Sequence, residues 1–468
     1  MSKALKIAVL ALLVVGAAGA GSTSGSAPGF KASREFDTSA KDTNSVALGD
    51  LNGDGKLDVV ATHGAFGDDP PALRRLRLVS VLYGRGGGRF GPSHAYEIAK
   101  PGDEGGAWSI AMGDVNGDGK PDVVTGNLEA KSVSVLVNNG TGALEPPVNY
   151  ELGREPADVA LDDLNGDGKL DIATGNANTV SILLNAGDGT FGPTREFPAG
   201  RSTWAFAVGD LNGDGRPDIA TANRRRSSTT VLLNQGDGSF GAPVDYRTGP
   251  GPISTAIGDV NGDGLADVVS ANGSTDPSGE TYWIDTVSVL LGRGDGTLRP
   301  TRDYRIRDAQ HEFITVRIAD VNGDRKPDLV AADLGDEWSM TVLVNGGNGT
   351  FGRHFDYGHN DYTSQDVGQG SEVVALGDLN GDRRLDAVEA RFDELSLFVN
   401  APGACTVPDL SGTKLAKAKR LLAESHCALG KIKRSKLGTA GYVIRQRPSA
   451  GAVLARGRKV NLVVGSSR

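Results

Sequence analysis

A nine-residue segment, Asp50-Leu-Asn-Gly-Asp-Gly-Lys-Leu-Asp58, recurs six times along this 468-residue chain, once unchanged and five times with changes, at Asp114–Asp122, Asp163–Asp171, Asp210–Asp218, Asp259–Asp267, Asp320–Asp328 and Asp378–Asp386. Successive copies start between 47 residues (163 to 210) and 64 residues (50 to 114) apart. Self-similarity at such a period restricts a chain to architectures that stack one supersecondary unit, because each unit buries its apolar faces only against its neighbours.

The flanks of the segment repeat as well. Before each loop lies a short apolar run (Val46-Ala-Leu48, Ile110-Ala-Met112, Val159-Ala-Leu161, Phe206-Ala-Val208), and after it another (Asp171-Ile-Ala-Thr174, Asp218-Ile-Ala-Thr221). An alternating run follows, such as Val180-Ser-Ile-Leu-Leu-Asn185 or Val287-Ser-Val-Leu-Leu291. Then come a glycine turn (Gly187-Asp-Gly-Thr-Phe191) and a fourth segment ending near Tyr150, Phe197, Tyr246 or Tyr304. Short β-branched runs bounded by Gly, Asn and Asp are strands. Four strands in a unit of about 50 residues make a propeller blade. The fold class expected is mainly β, a seven-bladed β-propeller over residues 30–400. The 67 glycines, about twice average usage, have no collagen-like period and serve turns.

The seventh unit stops after Leu395-Ser-Leu-Phe-Val-Asn400 without a fourth strand. The N-terminal run Phe30-Lys-Ala-Ser-Arg-Glu-Phe36 resembles Phe191-Gly-Pro-Thr-Arg-Glu-Phe197. Residues 30–40 are expected to complete the last blade and close the ring, leaving no open sheet edge; an open solenoid is the rival architecture.

These repeats resemble FG-GAP/VCBS repeats, the blade type of integrin-like propellers. Phe240-Gly-Ala-Pro243 spells the naming letters, and Phe90-Gly-Pro92 and Phe191-Gly-Pro193 come close. The resemblance covers residues 30–400.

The loops have the chemistry of a calcium site. Oxygen donors stand at positions 1, 3, 5 and 9: Asp50, Asn52, Asp54 and Asp58; Asp114, Asn116, Asp118 and Asp122; Asp163, Asn165, Asp167 and Asp171; Asp210, Asn212, Asp214 and Asp218; Asp259, Asn261, Asp263 and Asp267; Asp320, Asn322, Asp324 and Asp328; Asp378, Asn380, Asp382 and Asp386. Oxygen-only ligands in a flexible loop suit Ca2+ over Mg2+. Gly at position 6 permits the sharp turn with positive φ. The loops resemble the first nine positions of an EF-hand without its closing Glu. Asp, Asn and Gly are also ordinary turn residues, but seven copies of the same four donors favour metal binding. Five to seven sites are expected, because Arg325 and Arg383 replace the position-6 Gly and add strain and positive charge to loops six and seven. Such ions would be structural, each adding about 0.5–1.5 kcal/mol at millimolar calcium.

In an up-and-down meander, successive turns alternate between the two faces of the ring. The calcium loops and Gly-Asp-Gly turns share one face. The insertions Thr62–Leu78, Asn272–Asp285 and His359–Glu372 fall on the other, where loops on a rigid scaffold commonly carry function. Trp108 and Trp204, six residues before their loop Asp, lie near that second face, and Tyr282, Trp283 and Tyr362 lie within insertions. These aromatic groups are candidates to stack on a glycan or grip a protein loop, with simple packing as the alternative. The six histidines have no metal-ligand spacing, and no phosphate-binding loop, nucleophile motif or nucleic-acid motif appears.

The chain's two ends differ from its middle. Lys3 and Lys6 precede the apolar run Ile7–Val15 and the small-residue site Ala18-Gly19-Ala20, which reads as a signal peptide over residues 1–20. A retained anchor is the alternative; the run is short for a bilayer span, and none follows it. Residues 21–29 read as a flexible leader. Cys405 to Arg468 holds 14 Lys/Arg against 2 Asp/Glu, and the rest of the chain 35 against 56. Such a split marks two modules with different partners.

After a linker at 401–404, Leu415, Ala418, Leu421 and Leu422 fall at helical spacing with Lys417, Lys419 and Arg420 opposite. Strands are expected around Tyr442–Gln446 and Lys459–Val464. Residues 405–468 resemble a PASTA domain through Val407-Pro-Asp-Leu-x-Gly412, Gln446-x-Pro448-x-Ala450-Gly451 and Gly457-x-x-Val460-x-Leu462-x-Val464. That resemblance implies a bacterial protein and binding to cell-wall peptidoglycan or an anionic wall polymer. A solvated basic helix with no ligand is the alternative. The chain's two cysteines, Cys405 and Cys427, fall inside the module and are expected to form one disulfide in a secreted chain; two free thiols are the alternative.

The function expected is a secreted, non-enzymatic binding or adhesion protein associated with the cell wall, with an unknown protein or glycan ligand on the propeller face opposite the calcium loops. A secreted polysaccharide lyase or hydrolase on the same scaffold is the alternative, and a purely structural wall protein a third.

Overall fold

A computed structural model describes residues 28–38, 40, 43–64, 77–98, 106–273, 285–307, 313–333, 340–357, 373–390, 394–401, 405–406, 410–424, 427–447, 453–454 and 459–466. The signal peptide and most of the leader expected at the N-terminus lie outside these residues. So do the cores of the three long insertions, including Tyr282, Trp283 and Tyr362. Among the described residues no helix is long and apolar enough to cross a membrane. The chain divides into two units, one over Lys31–Val399 and one over Asn400–Arg468 with residues 28–30.

The first unit consists of seven four-stranded sheets, each a meander. In the third blade, Pro156–Asp162, Asp171–Asn176, Thr179–Leu183 and Arg195–Pro198 follow one another in space as in sequence. Register aligns Leu161 with Ile172 and Ile172 with Leu183, so apolar side chains stack across the sheet. The second strand of a blade is buried along its whole length, as Asp171–Asn176 is, because each sheet is sandwiched between two others. This explains why these strands read as continuous apolar or small runs rather than as a strict alternation.

Packing is between neighbouring blades. Val124, Val133 and Val135 of the second blade meet Val159, Leu161 and Ile172 of the third in one core, and Ile182 of the third meets Phe206, Ile219 and Leu232 of the fourth in the next. The aromatic residues of the fourth strands and glycine turns close these interfaces edge to face. Tyr150 meets Phe191 with ring centroids 5.5 Å apart, Phe197 meets Phe240 at 5.4 Å, and Tyr304 meets Phe351 at 5.5 Å. The N-terminal strand Phe30–Asp37 pairs with Glu394–Asn400 in the seventh sheet. The ring thus closes by mixing the two ends of the propeller, and Phe36 packs on Phe90 of the first blade at 4.9 Å.

The second unit has the helix Leu415–Glu424, whose Ala418 and Leu422 are buried against Val443, Val460, Leu462 and Val464. The strands Val443–Arg447 and Lys459–Gly465 fall where the sequence predicts them. Two strands were not anticipated, the shorter being Val453–Leu454, which pairs with Cys405–Thr406. Ala428–Ala440 runs parallel to Lys459–Gly465, which is the centre of a three-stranded sheet. It is an edge strand with Lys431, Lys433, Arg434 and Lys436 exposed, and edges tolerate the lysines and glycine that hide a strand from pattern reading.

Candidate functional site

The nine-residue loops share one geometry. In the third, Asp163 Oδ1 accepts from the amides of Gly166 (2.7 Å) and Asp167 (3.0 Å), and Oδ2 from Gly168 (2.8 Å). Asn165 Oδ1 accepts from Asp167 N–H at 2.8 Å, and Asp167 Oδ1 from Lys169 N–H at 3.0 Å. Gly166 and Gly168 have φ of 78° and 84°, so the glycines at positions 4 and 6 both turn the backbone to aim its amides inward. Arg325 and Arg383 adopt the same left-handed backbone, at 68° and 67°. Their amides still reach Asp320 Oδ2 and Asp378 Oδ2, each at 2.7 Å.

Position 9 does a different job from its neighbours. Asp171 is fully buried, with Oδ2 accepting from Leu164 N–H (3.0 Å) and Oδ1 from Asn185 N–H (2.8 Å). Burial, above all, pushes its pKa up to about 6, against those two amide bonds. Asp58, Asp122, Asp218 and Asp267 behave alike, and Asp328 reaches about 7. This carboxylate ties the loop to the end of the third strand, a fold-holding role the sequence does not announce.

The donors fit a hard cation by chemistry: Asp, Asn and Asp at positions 1, 3 and 5 offer oxygen only, near the surface, and the loop carboxylates crowd one another enough to raise the position-9 pKa further. Basic side chains already supply part of the counter-charge. Lys56 Nζ is 2.6 Å from Asp54, Lys169 Nζ is 3.5 Å from Asp167, and Arg216 pairs with Asp214. Among the described residues no three carboxylate, imidazole or thiol groups converge closely enough to hold a metal.

The asparagine that ends the third strand emerges only in three dimensions. Asn234 Nδ2 donates to Leu164 O of the preceding blade and to Pro217 O of its own, both at 3.0 Å, and its Oδ1 accepts from Gly236 N–H at 2.7 Å. Asn138, Asn185 and Asn345 reach Leu51, Val115 and Val260 in the same way. The recurring Asn-x-Gly-x-Gly spacing carried this signal in the sequence. In the first and fifth blades the position is Gly84 and Gly292, where a Cβ would lie 2.2 Å from Leu57 O and 2.1 Å from Ala266 O.

The first strands of the blades line a central channel of about 3010 Å³. Three residues before the loop Asp, six blades place an alanine (Ala47 to Ala375), and the sixth blade places Arg317. Five residues before it, the third blade alone has a carboxylate, Asp158. Its oxygens accept from Val159 N–H (2.9 Å) and Phe206 N–H (3.4 Å), and burial pushes its pKa up to about 6 while Arg317 opposes the shift. Trp108 and Trp204 line the channel too, at the end away from the loops. Of the histidines, His63 is buried between Thr43 and Ser80.

Models of the FG-GAP-like repeat match residues 67–125, 115–174, 163–221, 210–270 and 320–388, more than half of the chain. The chain belongs to the FG-GAP-like repeat family. The PASTA domain model matches residues 406–466, so this FG-GAP-like protein also carries a C-terminal PASTA domain. Its fold is similar to that of BBS1N in complex with ARL6DN, in a lead-soaked crystal (12% identity, 80% of this chain and 97% of that one, TM-score 0.51) and in a mercury-soaked one (13%, 80% and 97%, 0.50). A lectin from Agrocybe aegerita, described as recognising non-reducing terminal N-acetylglucosamine, aligns at 22% identity over 76% of this chain and 87% of that one, with a TM-score of 0.46. No curated protein sequence matches the chain.

Proposed function

We propose that this FG-GAP-like protein is a secreted, non-enzymatic binding protein of the bacterial cell wall. The PASTA domain attaches it to peptidoglycan or an anionic wall polymer, and the propeller presents a ligand face opposite its nine-residue loops. The observation that carries this reading is the pairing of an acidic seven-bladed ring with a separate basic PASTA unit. In that unit Lys417, Lys419 and Arg420 on the helix and Lys431, Lys433, Arg434 and Lys436 on the edge strand are all exposed. Clustered cations on one small domain suit a polyanionic surface.

Calcium at the loops is part of the proposal. Positions 1, 3 and 5 of each loop would hold the ion, which would screen mutually repelling carboxylates and stiffen the turn between the first two strands. A disulfide between Cys405 and Cys427 is proposed as well, supported by the burial of Cys427 and by the absence of a free cysteine among the described residues.

Co-sedimentation of the full chain with insoluble peptidoglycan, beside a truncation ending at Asn400, tests the reading. The full chain is expected in the pellet and the truncation in solution. If both stay in solution, the attachment role falls.

A further inference from the structure

The blades are near copies of one another, so the places where one blade departs from the rest are informative. In the third and fourth blades such departures include Asp158, Trp204 and the run Arg224–Arg226.

The first strand of each of the first six blades carries the same β-bulge, lying between Thr203 and Ala205 in the fourth blade and between Ala107 and Ser109 in the second, and these two blades are set apart by the residue that fills it. Bulges re-aim the extra side chain. That residue is Trp204 in one blade and Trp108 in the other, with the small Ala157 of the third blade between them. Trp204 is 39% exposed, although an indole is among the costliest side chains to leave in water.

One arginine stacks on this indole, and others stand beside the two in sequence. The single-turn 3-10 helix Arg224–Arg226 connects the second and third strands of the fourth blade. The guanidinium of Arg224 lies 5.3 Å over the Trp204 ring, and the Arg224 amide donates to Ser202 O at 3.0 Å. Ser202 and Ser227, flanking the cluster, both have left-handed backbone, at φ 59° and 49°. Strain at non-glycine residues persists where surrounding structure enforces it, and it gathers at functional sites. Arg226 is partnered by Asp245 at 3.7 Å, whereas Arg201 and Arg225 are exposed and have no ion pair among the described residues. The nearby Glu155 is matched by Lys131 at 3.5 Å.

We infer that this rim binds a glycan bearing carboxylate groups, an assignment that rests on reading the propeller as a binding module. An exposed indole face offers a platform for the C–H face of a pyranose. Arg201 and Arg225 offer planar forks that hold carboxylates in bidentate fashion. Asp158, just inside the mouth, keeps lone-pair capacity on both oxygens for ligand hydroxyl donors. A nucleic-acid strand, with one phosphate per nucleotide and few hydroxyl donors, would meet repulsion at that carboxylate. A polyhydroxylated chain with carboxylates spaced along it satisfies both kinds of group.

The test is calorimetric titration of the full chain with tetragalacturonate and tetramannuronate, and with cellotetraose as the neutral control, at low and at high salt. At least one acidic tetrasaccharide is expected to bind at least tenfold more tightly than cellotetraose, and more weakly as salt rises. Trp204→Ala and the double variant Arg201→Ala/Arg225→Ala should each lower that affinity at least tenfold, while Trp204→Phe, which keeps an aromatic face, retains most of it. Absence of binding by both acidic sugars, equal binding of cellotetraose, or affinity unchanged in Trp204→Ala overturns the inference. Wall co-sedimentation run on the same preparation of the unsubstituted full chain separates the two ideas. A chain that pellets but binds neither acidic sugar loses this inference alone, and one that fails to pellet loses the attachment role.

Discussion

Replacing Asn234 by alanine removes three hydrogen bonds from a side chain that is 2% exposed. The carbonyls of Leu164 and Pro217 each lose a donor at 3.0 Å, and Gly236 N–H loses its acceptor at 2.7 Å. A typical bond contributes about 1 kcal/mol net, and a buried group left unpaired costs about 1–3 kcal/mol. The two carbonyls differ in consequence. Pro217 lies on the same blade, so its loss is local, whereas Leu164 belongs to the preceding blade and its loss loosens the ring. A total of about 2–4 kcal/mol follows. The comparison variant is Asn139→Ala, whose exposed side chain only accepts from Thr141 within its own turn; about 0.5–1 kcal/mol is expected there. Urea unfolding of the full chain, followed by far-UV circular dichroism, gives the difference in midpoint. Hydrogen exchange should place the extra opening in the third and fourth blades. A loss for Asn234→Ala no larger than for Asn139→Ala would refute the idea that this asparagine staples the blades. Gly292→Asn should destabilise rather than add a staple, since its Cβ would sit 2.1 Å from Ala266 O.

Three further outcomes are expected. Arg325→Gly and Arg383→Gly each relieve a left-handed backbone and should stabilise the chain by about 1 kcal/mol, read as a higher melting temperature; unchanged melting in both would show that those turns hold no strain. Millimolar calcium added to chelator-treated protein should raise the melting temperature, and Asp163→Ala combined with Asp167→Ala should reduce that rise, whereas identical melting with and without calcium would remove calcium from the proposal. Asp158, pushed up to about 6 from 3.8, binds its proton more tightly in the folded state, so its contribution to stability falls as pH rises from about 4 to about 6. Urea midpoints measured in chelator across that range should therefore decline less in Asp158→Asn than in the parent protein, and equal slopes would count against burial as the cause.

Much of this protein was legible in one dimension. The sevenfold segment, the four-strand unit around it and the missing last strand are local or periodic features, and the closing strand Phe30–Asp37 could be matched by its likeness to Phe191–Phe197. The helix Leu415–Glu424 announced itself by apolar spacing, while the strand Ala428–Ala440 did not, because it lies at a sheet edge, none of its described residues is buried, and lysine, arginine and glycine interrupt its apolar positions.

Of the four residues assigned to each loop, the sequence could say that they are oxygen donors but not which way their oxygens face. Asp171 and its counterparts look like the other loop acids on paper, yet they are buried with both oxygens held by backbone amides contributed from different strands. The interblade reach of Asn234, the edge-to-face rings and the meeting of Trp204 with Arg224 also join residues from separate strands or blades. Repetition and polarity are properties of a chain and can be read along it. Burial, the partner of a hydrogen bond and the convergence of side chains depend on what packs alongside, and for those only the closed ring of blades supplies the neighbour.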